Sequence, residues 1–302
     1  MVEYRSFLSE HDSLEISYVT VIPDVRPRAV MLLVHGMCGC KERFLPFMHF
    51  LASRGIVCFA NDHRGHGDSV KAEEDRGYMY SGGYRALVDD MRQLEMIARI
   101  EYPGLPLYMV AHSMGTLAAR TFMKKYPGLM NGVILCGSPA YTPISRAEKT
   151  MEIVARGGWP GRFRPQRITR LVSRRYNRAF ADEGPQAWTC SDPQVRKDFS
   201  ENPKTDFCFT LNGMTALMGM MKEAYSDEDW TVISPDMPVI FLSGQDDPCM
   251  GGRRGLDRAV RVMRSAGYRN VIQKTYPAMR HEILNEIGKE RVWQDILMFL
   301  GL

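Results

Sequence analysis

Ser113 is the residue in this chain whose surroundings best suit a nucleophile. The stretch YMVAHSMGTLAAR, residues 108–120, runs from apolar residues through Ser113 and Gly115 into an alanine-rich helical pattern. It is close to G-x-S-x-G, the sharp strand-to-helix turn that exposes a serine and aims backbone N–H groups at a developing oxyanion. Ala111 stands where the pattern has glycine. Its extra methyl group should cost strain without preventing the turn, which we assign to Ala111, His112 and Gly115 around the serine.

A serine hydroxyl attacks only if a base removes its proton, so partners are required. In the fold that carries this turn, the acid and then the histidine follow the serine along the chain. Of the seven histidines only His281, in YPAMRHEILNE, follows residue 233. Asp246 and Asp247 follow the apolar run VIFLSG. Asp247, three residues past Gly244, has the spacing of a turn that returns its carboxylate toward the histidine, and we prefer it. The alternatives are Asp246 as the acid, or loop capping by either aspartate.

An oxyanion also needs a second hydrogen-bond donor. The stretch VHGMCG, residues 34–39, supplies one, because glycine lets the backbone approach a substrate. We expect His35 and Gly36 to form this loop, with the N–H of Met37 pairing with that of Met114. The alternative is an ordinary glycine turn after a buried strand.

These side chains require a sheet whose strands end at a common edge. Short apolar runs alternate with amphipathic patterns, which indicates βα units and a mostly parallel sheet with helices on both faces. The predicted strands are 2–9 and 14–22 (a hairpin), 29–35, 56–62, 107–113, 132–138, 238–244 and 271–276. The predicted helices are 42–54, 83–101, 115–126, 252–266 and 287–300.

One long interval interrupts the alternation. Residues 139–232 contain no clear buried strand, and their pattern is helical with proline and glycine breaks. We predict an α/β core formed by 1–138 and 233–302, and a helical cap formed by 139–232 over the carboxyl end of the sheet. The first part of the interval, 141–178, has ten basic and two acidic residues, whereas 179–230 has four basic and ten acidic.

Composition narrows the class of protein. The 302 residues are 45% hydrophobic and 25% charged, as in a globular protein, and the net charge of +4 does not by itself imply nucleic-acid binding. The start has no signal-peptide pattern, no apolar run is long enough to cross a bilayer, and the seven scattered cysteines suit reduced thiols. We therefore expect a cytoplasmic protein. Cys38 and Cys40 form a C-x-C pair without a partner pair, which favours a tight loop over a zinc site.

Five blocks together resemble a known family: HGMCGCKERF, NDHRGHGDS, AHSMG, GQDDP and RHEILNE. They look like the α/β-hydrolase fold, and more narrowly its monoacylglycerol lipase and lysophospholipase branch, the serine aminopeptidase-like group. The resemblance implies Ser113 as nucleophile, His281 as general base and Asp247 as its orienting acid. It also implies the backbone N–H groups of Met37 and Met114 as oxyanion donors.

The same resemblance changes the interpretation of the DHRGHG block. His63 and His66 taken alone are candidates for metal ligands. Within the family, Asp62, Arg64 and His66 would instead organise a loop near the site. No metal and no organic cofactor is implied.

The resemblance predicts hydrolysis of carboxylic esters through an acyl-serine intermediate, on a monoacylglycerol, lysophospholipid or similar small ester. A peptidase or amide hydrolase of the same fold is the alternative, with Glu201, Asp206 and Glu223 as candidates to bind an amine. Epoxide and haloalkane hydrolysis are disfavoured, because those relatives need a carboxylate at position 113. A non-catalytic binding protein would be marked by a degenerate triad, which this sequence does not have.

The interval 139–232 carries two further patterns. Ile168, Leu171, Val172, Tyr176 and Phe180 share one helical stripe, and seven arginines between 162 and 178 lie mostly off it. We favour a solvated face over one that contacts a membrane surface, and these arginines are the sole basis for a nucleic-acid role, which we do not expect. DFCFTLNGMTALMGMM, residues 206–221, suits either an adaptable acyl pocket or simple core filling. We assign Phe209, Met214, Leu217 and Met218 as its candidate substrate-binding residues.

Overall fold

An eight-stranded sheet forms the centre of the protein. The structure, a computed structural model, describes residues 1–142 and 160–302. In the sheet the strands lie in the order β1-β2-β4-β3-β5-β6-β7-β8. The strands are β1 Val2–Leu8, β2 Glu15–Val21, β3 Ala29–Val34, β4 Ile56–Asn61, β5 Leu107–His112, β6 Gly132–Cys136, β7 Val239–Gly244 and β8 Val271–Tyr276.

Helices cover both faces of this sheet. One face packs against α2, α3, α6 and α7, and the other packs against α1 and α8. In the described part of the chain the helices are α1 Leu45–Ala52, α2 Gly83–Glu101, α3 Met114–Lys125, α4 Gln166–Asn177, α5 Pro193–Glu201, α6 Leu211–Tyr225, α7 Gly252–Ser265 and α8 Glu290–Leu300.

The pairing of the strands follows from their composition. Strands β3 to β8 are parallel, and the hairpin of β1 and β2 joins β4 in antiparallel fashion. Every residue of β3, β4, β6 and β7 is buried, because helices cover both faces of the sheet; this explains their continuous apolar runs. The predicted fold class is confirmed, and each predicted strand lies within two residues of an observed one.

The order of strands creates a cleft at one edge. The chain moves outward from β3 to β4 and then returns across β3 to form β5, so the direction of winding reverses between β3 and β5. Ligands bind outside the carboxyl ends of the strands at such a switch point. Strand β5 ends there, directly before Ser113.

The regular elements in the described part of 139–232 are α-helices and a 3-10 helix, joined by irregular segments, and that part contains no strand. Residues 143–159 of the predicted cap lie outside the described residues. The division of the chain into core and cap stays a prediction. Among the described helices, none combines the length and apolarity needed to cross a bilayer.

Candidate active site

Ser113 lies in a strained turn between β5 and α3. Its backbone has φ 53° and ψ −122°, a conformation that costs energy for a residue with a side chain. The turn is crowded, which explains why small residues surround the serine. A Cβ on Gly115 would lie 2.4 Å from the carbonyl oxygen of Val34, and one on Gly36 would lie 2.8 Å from Cβ of Ser113. Ala111 is fully buried in the middle of the sheet, where its methyl group is accommodated.

Hydrogen bonds hold the strained turn in place. The N–H of Ser113 donates to the carbonyl of Cys136 at 2.9 Å, which joins the turn to the end of β6. Its carbonyl accepts from the N–H of Thr116 at 2.8 Å and from the hydroxyl of the same residue at 2.7 Å. The backbone is therefore fixed on both sides of the serine, and its side chain projects beyond the sheet edge.

The structure brings Ser113, His281 and Asp247 into one hydrogen-bonded line. His281 Nε2 lies 2.8 Å from Ser113 Oγ, and His281 Nδ1 lies 2.9 Å from Asp247 Oδ2. Both His281 and Asp247 are buried, whereas Asp246 is exposed. The second oxygen of Asp247 accepts from the N–H of Cys249 at 2.8 Å, so the carboxylate is held at both ends.

This arrangement sets the proton positions on His281. The Asp247 carboxylate accepts a hydrogen bond from the Nδ1–H of His281, which leaves the lone pair of Nε2 to accept the hydroxyl proton of Ser113. Burial opposes a charge on the ring, but the Asp247 carboxylate outweighs it and raises the pKa of His281 above its ordinary value. The ring therefore has the geometry and the basicity of a general base.

The predicted oxyanion donors lie on the two loops beside Ser113. Within the described residues, the backbone N–H groups of Met37 and Met114 donate no hydrogen bond, so both remain available. His35 holds the first loop: its Nε2 accepts from the N–H of His63 at 3.0 Å, and its Nδ1 then donates to the carbonyl of Gly36 at 2.8 Å. The tautomer is inferred from these contacts.

An ion pair between Arg43 and Glu282 lies next to His281. Arg43 donates to Glu282 at 2.8 Å, and His112 Nδ1 lies 3.9 Å from the other oxygen of that carboxylate. Burial would raise the pKa of Glu282, but the charge of Arg43 outweighs it, with a smaller contribution from His112, and holds the pKa below its ordinary value. Burial lowers the pKa of His112, so this ring is neutral at physiological pH.

A cavity of about 810 Å³ opens above Ser113, a volume typical of small-molecule sites. Of the four predicted substrate-binding residues, Met214, Leu217 and Met218 line it. Phe209 does not, and that prediction was wrong. The hydroxyl of Thr210 caps α6 and bonds to the carbonyl of Gly77 at 2.9 Å, which draws Phe209 fully into the core. Phe207, two residues earlier, lies at the cavity wall instead.

The three carboxylates predicted as candidates to bind an amine have different surroundings. Asp206 lines the cavity, whereas Glu201 is exposed at the end of α5. Glu223 bonds to Tyr84 at 3.2 Å and to Lys124 at 3.4 Å, and it does not line the cavity. One of the three candidates therefore remains for an amine-binding role.

Ion pairs with residues outside the block hold the DHRGHG loop in place. Asp62 is buried and pairs with Lys41 at 2.7 Å, and Arg64 pairs with Asp90 at 2.8 Å. His66 Nδ1 lies 3.2 Å from the carbonyl oxygen of Arg64. These contacts order this loop, and the N–H of His63 joins it to His35 of the oxyanion loop.

Asp247, Cys249 and His281 form the one group of possible metal ligands among residues 1–142 and 160–302. Two of its members already hydrogen-bond to each other. His63 and His66 belong to no such group in that part of the chain. All seven cysteines are free thiols, and six of them are buried.

Sequence reasoning missed the residues that surround His281. Trp188 lies against its ring with 5.1 Å between ring centroids, and Arg43 and Glu282 form the neighbouring ion pair. The RHEILNE block contained Glu282 as a charged neighbour of the histidine, which was a usable signal. Nothing in the sequence indicated that Trp188, 93 positions earlier, would reach the same place.

Comparisons with known proteins agree on the family. Residues 25–288 match the family described as serine aminopeptidase, S33. A monoacylglycerol lipase of Mycolicibacterium smegmatis is 25% identical over 309 residues, which covers 97% of this chain and 96% of the relative. Human monoglyceride lipase is 29% identical over 133 residues, 44% of this chain and 42% of its own length.

Solved structures show the same fold over the whole chain. A carboxyl esterase of Bacillus coagulans, solved in complex with glycerol, superposes with a TM-score of 0.90 at 25% identity, covering 99% of this chain and 98% of that one. A soluble variant of monoglyceride lipase from Saccharomyces cerevisiae, in complex with a substrate analog, has a TM-score of 0.74 at 21% identity, covering 99% and 94%.

Proposed function

Because this chain belongs to the serine aminopeptidase (S33) family of α/β-hydrolases, we propose that it hydrolyses carboxylic esters through an acyl-Ser113 intermediate. The observation that carries the proposal is the line of hydrogen bonds from Asp247 through His281 to Ser113, which ends in a large cavity. Two relatives of similar length are named as a lipase and an esterase.

In the proposed reaction, Ser113 Oγ bonds to the ester carbonyl carbon while its proton passes to His281 Nε2. The carbonyl oxygen becomes an oxyanion, which accepts hydrogen bonds from the N–H groups of Met37 and Met114. Asp247 stabilises the imidazolium. The C–O bond to the alcohol then breaks, and His281 donates its proton to the leaving oxygen. Water, deprotonated by the same ring, releases the acid and restores the serine.

We propose a small ester or lipid with an apolar acyl chain as substrate: a monoacylglycerol, a lysophospholipid or a simple carboxylic ester. Apolar side chains of α6 supply one wall of the cavity, and flexible methionines among them suit chains of different shape. We assign residues 139–232 as a cap over this site. The free thiols support a reducing compartment, the cytoplasm.

Amide hydrolysis is the second candidate, and Asp206 at the cavity wall is the observation that favours it. An aminoacyl amide would place its ammonium group beside this carboxylate. Comparing an aminoacyl p-nitroanilide with a p-nitrophenyl ester separates the two functions. We expect the ester to be the better substrate by kcat/KM; the reverse order would favour the peptidase.

The direct test of the proposed function is turnover of p-nitrophenyl esters and monoacylglycerols. Ser113→Ala should reduce kcat by roughly 10⁴-fold or more, because the nucleophile is removed. Ser173→Ala, a serine elsewhere in the cavity wall, is the matched control and should stay within a few-fold of wild type. Turnover by Ser113→Ala within tenfold of wild type would overturn the proposal.

We extend the proposal to contact between α4 and an anionic membrane surface. Leu171 is 69% exposed, and Ile168 and Val172 lie on the same helix at the cavity wall. Among the described residues, the arginines of α4 form no ion pair with a carboxylate, so they do not balance the acidic part of the interval there. An apolar stripe between free cations is the composition of a helix that lies on anionic lipid.

Vesicle co-sedimentation tests this surface. Leu171→Asp should weaken binding to mixed phosphatidylcholine–phosphatidylglycerol vesicles by roughly tenfold, because it removes apolar contact and adds a repelled charge. Ile100→Asp, an equally exposed residue on α2, is the control and should bind as wild type does. Equal binding of both variants, or no binding by wild type, would exclude the contact.

A further inference from the structure

Trp188 lies directly against the ring of His281. Their centroids are 5.1 Å apart and their planes are inclined by 39°, so the indole presents part of its face to the imidazole. Tyr176 of α4 also packs on the indole, with 4.9 Å between ring centroids. The thiol of Cys249, two residues after Asp247, lies close enough to the Tyr176 hydroxyl to raise its pKa. Trp188 is half-buried and lines the cavity beside His281, so its indole covers part of the imidazole ring.

The segment that carries Trp188 is bonded to the loop that carries His281. The N–H of Glu282 donates to the carbonyl of Thr189 at 2.7 Å. The guanidinium of Arg280 donates to both oxygens of Glu183, at 2.6 and 2.9 Å, and to the carbonyl of Ala187 at 2.6 Å. These bonds flank Trp188 on both sides in the sequence. The contact between the indole and the imidazole is therefore fixed by the backbone around it.

A second set of hydrogen bonds joins the segment that carries Trp188 to the loop that carries His281. Glu286 accepts from the N–H of Ser191 at 2.9 Å and from the N–H of Arg280 at 2.8 Å, so one buried carboxylate joins the two segments. The amide of Asn177 donates to the carbonyl of Gly184 at 2.8 Å and accepts from the N–H of Trp188 at 3.1 Å, which ties α4 to the segment that carries Trp188. A loop that only covered a cavity would not need this density of bonds to the histidine loop.

Several charged or titratable groups face His281 in addition to the indole. Asp247 bonds to Nδ1, Ser113 bonds to Nε2, and the thiol of Cys249 lies within 4.8 Å of the ring's ligand nitrogen. Glu282, paired with Arg43, favours the charged ring. The neutral ring of His112 is 4.9 Å away, and its Nε2 contacts the carbonyl oxygen of His281 at 3.1 Å. Trp188 is the uncharged member of this shell that has a large aromatic face.

We propose that Trp188 is a positioning residue for His281, whose indole stabilises the imidazolium form and fixes the ring in line with Ser113. The inference rests on the proposed function, in which His281 becomes positively charged during attack on an ester. A cation within about 6 Å of an indole is attracted by the electrons of its face, and the attraction is strongest in a dry site. An aliphatic side chain of similar bulk would fill the space without this attraction.

The test is titration of His281 by NMR in the full chain, together with the acid limb of kcat/KM for a p-nitrophenyl ester. Trp188→Leu should lower the pKa of His281 by roughly 0.5–1, and the acid limb should move to lower pH by the same amount. Trp188→Phe, which keeps an aromatic face, should stay within about 0.2 of wild type. Trp230→Leu, a half-buried tryptophan that packs on Tyr268, is the matched control and should change neither value.

A merely structural role predicts a different pattern. If Trp188 only fills space, Leu and Phe would lower the melting temperature to different degrees but leave the pKa of His281 unchanged. An unchanged pKa in Trp188→Leu, or a raised one, overturns the inference. If the wild-type protein hydrolyses no ester, the proposed function fails, whereas the NMR titration still decides the role of Trp188.

Discussion

Asp246 and Asp247 are adjacent, yet the fold gives them opposite environments. The turn after β7 buries Asp247 against His281, and its second oxygen is held by the N–H of Cys249. Asp246 is exposed and uses its backbone N–H to bond to the carbonyl of Met279 at 3.0 Å. The sequence favoured Asp247 on its spacing from Gly244, with Asp246, one residue nearer, as the alternative.

Substituting each aspartate in turn tests this difference. Asp247→Asn should reduce kcat for p-nitrophenyl esters by roughly 10⁴-fold, because the amide no longer holds His281 in the tautomer that accepts a proton from Ser113. Asp246→Asn is the matched control and should remain within a few-fold of wild type. Equal losses in the two variants would contradict the assignment of Asp247.

Single residues were predictable from sequence where order along the chain restricted the choice. His281 is the one histidine after residue 233, and its contact with Ser113 in the structure agrees with that order. The prediction that Phe209 binds substrate was wrong because hydrophobicity does not distinguish a cavity wall from the core behind it. The difference between Phe207 and Phe209 depends on the hydrogen bond from Thr210 to Gly77, 133 residues away, which no local pattern contains.

At the scale of elements, α6 forms one wall of the cavity. Its N-terminus is capped by Thr210, whose hydroxyl accepts from the N–H of Gly213 at 3.2 Å. The helix presents Met214, Leu217 and Met218 to the cavity, and Lys222 is exposed. The spacing of three and four residues is that of one helical face. The helix should therefore limit the length of acyl chain that the site accepts.

A bulky substitution on each face of α6 tests this role. Leu217→Trp should lower kcat/KM for long-chain p-nitrophenyl esters by roughly tenfold and leave the acetate ester nearly unaffected, because the added ring occupies acyl space. Lys222→Trp adds the same ring to the exposed face and should leave the chain-length profile unchanged. An unaltered profile in Leu217→Trp would place the acyl chain elsewhere.

Elements of the sheet were predicted well because their signals are local. Continuous apolar runs mark β3 to β7, and each predicted strand falls close to its observed position. The contact between residues 183–191 and 280–286 was not predictable, because it joins segments about ninety residues apart through backbone carbonyls, the Glu286 carboxylate and one ion pair. Only the folded chain shows which surfaces of the helical interval face the histidine loop.

At the scale of the whole molecule, three buried histidines link the sheet to the loops around the site. The rings of His35 and His63 are 4.1 Å apart, and those of His35 and His66 are 5.0 Å apart. Burial lowers the pKa of all three, to about 3 for His63 and about 4 for His66. Nδ1 of His63 and Nε2 of His66 have no hydrogen-bond partner in the described chain. In the folded state these three rings therefore stay neutral at pH values where a free histidine becomes protonated and charged.

This cluster should make the protein sensitive to mild acid. Unfolded histidines protonate near pH 6.5 and the folded ones do not, so the unfolded state binds more protons below that pH and stability falls as pH decreases. Each buried histidine should lower the free energy of unfolding by about 1.4 kcal/mol per pH unit as the pH falls from 6 to 5. Urea unfolding at these two pH values measures the loss.

Two variants identify the source of the acid sensitivity. His66→Phe, which keeps a ring between Phe207 and Phe209, should reduce the dependence of the free energy of unfolding on pH. His49→Gln, at an exposed histidine of α1, should leave it as in wild type. A pH dependence that both variants share with the wild type would exclude the buried cluster as its cause.

The central claim is that an ester is cleaved through a covalent bond to Ser113. The most direct measurement mixes the protein with p-nitrophenyl butyrate, quenches it in acid within the first turnover, and maps the modified peptide by mass spectrometry. We predict one butyryl group on Ser113, formed together with a burst of p-nitrophenol and absent from Ser113→Ala. Turnover of the ester with no acyl group on Ser113, or with the group on another residue, would contradict the account.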